Sequence, residues 1–172
     1  MLEDIMKILT NLCILALFAL TPALWALSTD KNQAIDLEAD SVDINQATGV
    51  SVYSGNVELN QGSIQLKADK VTVYQYADKK KSTRFVATGY PARFRQRPDG
   101  EKQYIKAQAN RMNYEIDSDN LELIGNAFIS QPGKINMRSD RIFYNRVAAT
   151  VKAGASAKGK ERVRMRFSNP KK

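Results

Sequence analysis

A ten-residue pattern occurs four times in this chain and constrains its fold more than any other feature. The copies begin at residues 35, 64, 105 and 135, so they start 29, 41 and 30 residues apart, a spacing typical of repeated supersecondary units. Within each copy apolar and polar residues alternate, which is typical of a β-strand with one buried face. The chain is therefore predicted to be an array of antiparallel strands that share one apolar side.

Each copy also shifts its alternation near the middle. Ile35, Leu37 and Ala39 share one parity, whereas Val42 and Ile44 share the other. A straight strand would turn these two sets to opposite faces, so we predict a bulge or corner that returns them to one side. An Asp or Asn at that point suits a corner, because its side chain bonds nearby backbone N–H groups. We interpret the four equivalent residues as structural, rather than as catalytic acids or calcium ligands: Asp40, Asp69, Asn110 and Asp140.

The beginning of the chain resembles an export signal. Lys7 precedes an uncharged stretch over residues 8–27, Pro22 interrupts it, and Ala26 offers a cleavage site. We predict a signal peptide over residues 1–26 and a single exported domain over residues 27–172. An uncleaved membrane anchor is the alternative, because about 20 apolar residues can span a bilayer.

Composition excludes most catalytic chemistry from the exported part. It has no histidine and no cysteine, since the one cysteine is Cys13. Thiolate metal sites, disulfides, cysteine nucleophiles and histidine acid–base catalysis are therefore excluded. Residues 117–120 lack the glycine and glutamate of a calcium loop and are predicted to form a turn. We predict a protein that is not an enzyme and that uses no cofactor and no metal.

The chain is basic. Its net charge of +8 becomes +9 without the one lysine and two acidic residues of the leader. A basic exported protein is expected to bind an anionic partner such as lipid phosphate or acidic glycan, and export disfavours nucleic acid. Arg93, Arg95 and Arg97 share one strand face opposite Phe94, so this face is predicted to be wet and cationic.

Strand-like segments separated by turn signals number roughly fifteen after the leader. We predict an all-β fold: an elongated, open β-jelly roll of antiparallel strands that form a V-shaped hydrophobic groove, with a closed sandwich as the alternative. Ser54-Gly55-Asn56 is interpreted as a tight turn between two short strands. The polar residues 28–33 are interpreted as flexible.

Several apolar residues share strand faces and are candidates for ligand contact. Met112, Tyr114 and Ile116 lie on one side of one predicted strand, and Phe94 lies on the inner side of another. Each is either ordinary core or the wall of a lipid-binding groove. A last alternating strand, over residues 162–167, is predicted to be an edge that can add to another chain's sheet.

An ordered set of short motifs resembles a known family. The motifs are Tyr53-Ser54-Gly55-Asn56-Val57, Ala68-Asp69-Lys70-Val71, Gly89-Tyr90-Pro91-Ala92-Arg93-Phe94, Met112-Asn113-Tyr114, Leu123-Ile124-Gly125-Asn126-Ala127, Ser139-Asp140-Arg141-Ile142-Phe143-Tyr144 and Lys158-Gly159-Lys160. Their order is similar to that of the OstA-like family, and within it to the periplasmic bridge proteins of lipopolysaccharide transport. The similarity extends over about residues 33–163.

The resemblance implies a periplasmic, non-enzymatic carrier. It would shelter lipopolysaccharide acyl chains in its groove and bridge the inner and outer membranes during transport to the outer membrane. It would meet an inner-membrane component and the outer-membrane translocon by edge-strand addition, and copies would stack end to end. The implied groove residues, which contact the lipid A moiety, are Ile35, Leu37, Phe94, Met112, Tyr114 and Ile116. The implied edge residues are Ile35, Leu37, Val42, Ile44, Val163, Met165 and Phe167.

Two other functions stay open. One is a membrane-anchored inner-membrane component of the same pathway, with an uncleaved leader. The other is a structural or adhesive β-solenoid that has no lipid ligand. Retention of the leader would favour the first, and failure to bind acylated ligands would favour the second.

Overall fold

The computed structural model describes residues 29–75, 83–146, 148–154 and 162–166, which form one 3-10 turn and ten strands. The turn spans Thr29–Asn32. The strands are β1 (Asp36–Glu38), β2 (Ser41–Asn45), β3 (Val50–Gln61), β4 (Ile64–Tyr74), β5 (Arg84–Gln96), β6 (Ile105–Glu115), β7 (Asn120–Gln131), β8 (Ile135–Asn145), β9 (Thr150–Ala153) and β10 (Arg164–Met165). The predicted signal peptide and Phe167 lie outside the described residues.

The strands form one open antiparallel sheet. Its main path runs β1-β3-β4-β5-β6-β7-β8-β10, while β2 also pairs with β3 and β9 also pairs with β8. One edge is thus formed by β1 and β2, and the other by β9 and β10. The prediction of an open, antiparallel all-β fold is confirmed. In the described part of the chain, no helix has the length and apolar character needed to cross a membrane.

A register shift divides each long strand into two halves. The shifts follow Ser54, Lys67, Thr88, Gln108 and Ile124 in successive strand pairs, so they align across the sheet. We call the two parts of the sheet wing A and wing B. Wing A contains residues 57–61, 64–68, 92–96, 105–109, 127–131 and 135–139. Wing B contains residues 50–54, 70–74, 84–88, 111–115, 120–124 and 141–145.

The Asp or Asn of each repeat lies on the line between the wings, which confirms the predicted corner. The amide of Asp40 donates to Gly55 O at 3.0 Å, and its carboxylate accepts a 2.9 Å hydrogen bond from the Asn56 side chain. Gly55 has a φ of +80°, and a Cβ on it would lie 2.3 Å from Asp40 Oδ2. Both its conformation and its surroundings therefore require glycine. The equivalent residues of the other copies fall in the unpaired gaps of the register shifts: Asp69, Asn110 and Asp140.

The number of strands differs from the roughly fifteen predicted, because pairs of predicted short strands are single long ones. The segment Ser54-Gly55-Asn56, predicted to be a tight turn, lies inside β3. Gly55 and Asn56 both have positive φ, at +80° and +45°, which is the backbone of a two-residue hairpin turn. Here the strand continues and remains paired with β4 on both sides of these residues. The same local conformation therefore makes a bulge that bends the strand.

Both wings contribute to one core. Its fully buried side chains include Val57 and Ile129 from wing A and Val71, Leu123 and Ile142 from wing B. Burying each of these side chains contributes about 1.5–3 kcal/mol. One continuous sheet supplies both sides of this core. The sheet therefore folds over itself along the line between the wings, which we call the corner line. The alternation in each strand then sends its polar residues to the outer side.

Residues 28–33 were predicted to be flexible, and in the described part, from residue 29 on, the 3-10 turn corrects this. Asp30 is buried, and its carboxylate accepts hydrogen bonds from the Ser63 amide at 2.7 Å, the Ser63 hydroxyl at 2.8 Å and the Gln96 side chain at 3.2 Å. Ser63 lies between β3 and β4, and Gln96 ends β5. These bonds tie the start of the described chain to wing A. Their partners are 33 and 66 residues away in sequence, so the local pattern gave no sign of them.

Candidate functional site

An apolar groove lies between the two wings. Wing A lines it with Leu59, Ile64, Leu66 and Phe94, and wing B with Phe85, Ala87, Met112, Tyr114 and Leu121. Ile35, Gln61 and Arg146 complete the lining at its margins. Leu66 lies opposite Phe94 on neighbouring strands, and Phe85 lies opposite Tyr114 with ring centroids 6.4 Å apart. The groove is thus the unfilled part of the core that the folded sheet encloses.

This groove is narrow in the structure. Its cavity measures about 40 Å³, enough for a few water molecules. A hydrocarbon chain needs more room, because carbon atoms in contact stand about 3.5–4.0 Å apart along its whole length. The groove as the structure describes it is therefore too small to hold a ligand with long apolar chains.

The predicted groove residues all lie on the inner side of the sheet. Those that line the groove directly are Ile35, Phe94, Met112 and Tyr114. Leu37 and Ile116 are partly buried and pack against the adjoining core. Phe94 is 8% exposed and Ile35 is 41% exposed, which places Phe94 inside and Ile35 at the margin. Contact of these residues with a ligand stays a prediction.

A buried ion pair borders the groove on wing B. Arg146 follows β8, and Asp119 lies in the turn between β6 and β7. The Arg146 guanidinium is 3.3 Å from Asp119 Oδ1, and the two side chains are 4% and 1% exposed. Arg146 also donates to the Tyr114 hydroxyl at 2.8 Å, and that hydroxyl donates to Asp119 Oδ1 at 2.8 Å. Three polar groups thereby bond to one another beside a mostly apolar lining, and the buried Nε of Arg146 has no hydrogen-bond partner among the described residues.

Burial raises the pKa of the Tyr114 phenol, and among the smaller effects the Arg146 charge opposes this shift while Asp119 reinforces it. Burial likewise raises the pKa of Tyr144, with the same two charges acting in opposite directions. Both phenols therefore stay neutral around physiological pH. Tyr114 acts in the groove as a neutral hydrogen-bonding group between a cation and an anion.

Sequence reasoning did not identify Arg146 or Asp119. Residues 117–120 were predicted to form a turn, and residues 116–119 do so, but the burial of Asp119 was not foreseen. One signal was present: Arg146 continues the parity of Ile142 and Tyr144, whose side chains are buried. A charged residue at a position where the alternation points inward indicates either that the strand has ended or that the charge has a buried partner.

The predicted edge residues lie on the outermost strands or next to them. Val42 and Ile44 on β2 are 54% and 58% exposed, while Val163 and Met165 near the other edge are 42% and 44% exposed. Leu37 on β1 is half-buried. Unpaired edge strands with exposed apolar side chains are open to pairing with another chain. Phe167 is outside the described residues.

The outer side of β5 is cationic, as predicted. Arg93, Arg95 and Arg97 are exposed, whereas Phe94 and Gln96 between them are buried. Groove and cationic surface therefore lie on opposite sides of the same strand.

The geometry favours non-covalent binding of an apolar ligand. The groove offers apolar side chains with one hydrogen-bonded polar cluster at its margin. Within the ranges that the structure describes, no three His, Cys, Asp or Glu side chains are close enough together to hold a metal ion. The fold and the groove define a class: a single open β-sheet that is folded over an apolar interior.

Comparisons with known proteins give the family. Residues 36–150 match the family model described as LptA/(LptD N-terminal domain) LPS transport protein. The chain is 33% identical over 144 residues to the lipopolysaccharide export system protein LptH of Pseudomonas aeruginosa, which covers 80% of this chain and 81% of that protein. It is 32% identical over 129 residues to the export system protein LptA of Escherichia coli K12, covering 75% and 69%.

A solved structure agrees with this match. The crystal structure of P. aeruginosa LptH, described as the periplasmic LptA-homologous component of the lipopolysaccharide transport device, superposes with a TM-score of 0.74 at 29% identity. The match covers 81% of this chain and 99% of that one. The chain therefore belongs to the LptA/LptD N-terminal domain family of lipopolysaccharide transport proteins, and the resemblance drawn from its motifs is confirmed.

Proposed function

We propose that this chain is a periplasmic lipopolysaccharide carrier whose groove shelters the acyl chains of lipid A. The observation that carries the proposal is an apolar groove lined from both wings of one folded sheet. Membership of a lipopolysaccharide transport family supports the choice of cargo. Removal of each methylene from water contributes about 0.8 kcal/mol, so the proposal needs neither covalent chemistry nor a cofactor. The sugar headgroup would stay outside.

Loading requires the wings to separate, because the empty groove has only about 40 Å³. The corner line is the natural hinge, since the ladder of each long strand pair is interrupted there. Separation without ligand would expose the apolar lining to water, so the empty protein favours the closed arrangement. Entry of acyl chains replaces the lost contacts between the wings.

Spin labels on the outer ends of the wings test this opening. Asp99→Cys labels the loop after β5 on wing A, and Ser118→Cys labels the turn after β6 on wing B; both positions are exposed. Lipopolysaccharide should increase the distance between the labels by at least about 4 Å, the contact width of one hydrocarbon chain. The native Cys13 lies in the predicted leader, so no other thiol competes for label in residues 27–172.

Ala47→Cys with Ser118→Cys is the matched control, because both positions lie in exposed turns at the end of wing B. Their distance should not change. An unchanged distance in the test pair, at lipopolysaccharide concentrations that saturate binding, would show that the cargo does not enter between the wings.

We further propose that the two sheet edges join this chain to its neighbours, by end-to-end stacking of copies and by edge-strand addition to an inner-membrane component and to the outer-membrane translocon. The edges carry opposite charges. The first is acidic, with Asp36, Glu38, Asp40 and Asp43, and the second is basic, with Lys152, Arg162, Arg164 and Arg166. Complementary charges favour head-to-tail contact, and a head-to-tail contact whose rotation does not close a ring extends into an open row. A row of such units would bridge the two membranes.

A further inference from the structure

The outer side of wing A carries a group of exposed cations that take no part in the groove. We call it the outer basic face, formed by the exposed side chains of Lys67, Arg93, Arg95, Lys106 and Arg138. These residues lie on β4, β5, β6 and β8. They project away from the core, because the alternate residues Phe94 and Ala107 are buried.

Like charges on this face lie directly opposite one another. The strand registers pair Lys67 with Arg93, Arg95 with Lys106, and Arg138 with Arg164 of β10. Side chains opposite each other in a sheet are about 4.5–5.5 Å apart at Cβ, and like charges in that position destabilise the sheet. Solubility does not call for this arrangement, since interspersed charges of both signs serve equally well. An anionic surface that meets these cations would remove the repulsion.

Acidic side chains do little to compensate. Among the described residues, Lys67 is the one cation of this face with a carboxylate in ion-pair range, that of Glu58 at 2.7 Å. Arg93 instead donates a 3.4 Å hydrogen bond to the Gln108 side chain. The outer side of wing B differs, because Glu122 lies between strands there and pairs with a neighbouring arginine. Acidic side chains therefore compensate less charge on the outer side of wing A than on that of wing B, where Glu115 and Glu122 lie.

We propose that the outer basic face docks on the surface of an anionic phospholipid bilayer. Its cations are spread in two dimensions, about 7 Å apart along a strand and about 5 Å apart between strands. A single phosphate would meet one or two of them, whereas a layer of headgroups meets them all. The half-buried Phe128 lies within this array with the Arg138 guanidinium 4.4 Å from its ring centre, and aromatic side chains suit a membrane interface.

Docking through this face leaves the groove free, because the two lie on opposite sides of the sheet. The inference does not rest on the carrier function: the cationic face would bind headgroups whether or not the groove holds acyl chains. The two can therefore fail separately.

Vesicle co-sedimentation of residues 27–172, which contain all ten described strands, tests the inference. The probes are vesicles of phosphatidylglycerol with phosphatidylcholine, and vesicles of phosphatidylcholine alone. The test variant is Arg93→Gln with Arg95→Gln and Lys106→Gln. Each cation near an anionic surface is worth roughly a five-fold change in partitioning, so the triple variant should bind the anionic vesicles on the order of 100-fold more weakly.

The matched control removes the same charge from the outer side of wing B: Lys70→Gln with Arg111→Gln and Lys152→Gln, all exposed positions. It should retain most of the binding, and both variants should be at least as resistant to urea as the parent, which shows that they are folded. Equal losses of vesicle binding in the two variants would show that binding depends only on net charge, and this would overturn the inference. Equal binding of the parent to both kinds of vesicle, binding to neither, or displacement by inorganic phosphate would overturn it as well.

Discussion

Arg146 and Asp119 form an ion pair of 3.3 Å with 4% and 1% of their side chains exposed. Arg146 follows β8 and Asp119 follows β6. The pair therefore holds together the ends of these two strands in wing B. A buried pair adds little over apolar side chains of the same shape, but removal of one partner leaves an uncompensated charge. The pair therefore defines the geometry of the groove margin more than it stabilises the fold.

Removal of one partner should be costly. Arg146→Met should lower the free energy of unfolding by about 3 kcal/mol, because it isolates the buried Asp119 carboxylate. Adding Asp119→Asn should restore much of the loss, since neither buried charge then remains. Urea unfolding measures both variants, and Arg93→Met, at an exposed site, should stay within about 0.5 kcal/mol of the parent. Similar losses in Arg146→Met and Arg93→Met would contradict the buried pair.

The corner glycines should not tolerate a side chain. Gly55→Ala faces two costs, a φ of +80° and a Cβ within 2.3 Å of Asp40 Oδ2. Gly133→Ala is the control, because Gly133 has a φ of +75° but nothing within 4 Å of the added Cβ. The control should lose about 1 kcal/mol of stability from backbone strain, and Gly55→Ala clearly more. Equal losses, measured by thermal unfolding, would show that the approach of Asp40 is unimportant.

The corner itself could be predicted from sequence, because the parity shift at Asp40 is a local pattern that any sheet with one apolar face must resolve. The same alternation correctly turned Phe94, Met112 and Tyr114 inward. The continuity of β3 could not be predicted. Gly55 and Asn56 have the φ values of a hairpin turn, and only pairing with β4 beyond them makes a bulge.

The polar contacts at the groove margin and at the start of the described chain join residues that are far apart in sequence. Arg146 meets Tyr114, which is 32 residues away, and Asp30 meets Gln96, which is 66 residues away. Periodicity records which face a residue occupies but not which distant turn it meets. Buried charges are found from such contacts, so Arg146 and Asp30 were missed, whereas alternation placed Phe94, Met112 and Tyr114 on the inner face.

Stability should fall at alkaline pH through Tyr114. Burial raises the pKa of its phenol, so the folded chain keeps a proton that the unfolded chain releases near pH 10. The stabilisation is complete below about pH 10 and is lost as the pH rises above it, because the unfolded state then binds fewer protons. Tyr114→Phe should flatten this decline in the free energy of unfolding, and adding Tyr144→Phe should flatten it further. If the free energy of unfolding falls with pH in parallel for Tyr114→Phe and the parent, the Tyr114 phenol is not the cause of the decline.

The opposite charges of the sheet edges predict a charge-reversal experiment. Asp36→Lys with Glu38→Lys removes the net negative charge of the first edge and leaves the second edge basic, whereas Arg164→Glu with Arg166→Glu removes the net positive charge of the second edge and leaves the first edge acidic. Each variant alone should self-associate more weakly in sedimentation velocity, and an equal mixture should associate again because unlike edges then meet. High salt should weaken the parent's association. Association that ignores both reversals would mean that these edges do not form the contact.

Photocrosslinking in cells shows whether acyl chains occupy the groove. Benzoylphenylalanine at Phe94 places the photoreactive group in the groove, whereas at Arg111 it lies exposed on the outer side of wing B, away from the outer basic face. Phe94 is preferable to Tyr114, whose hydroxyl holds Arg146. We expect a lipopolysaccharide adduct at position 94 and none at position 111. An adduct at 111 alone, or at neither position while the protein is folded and exported, would contradict this expectation.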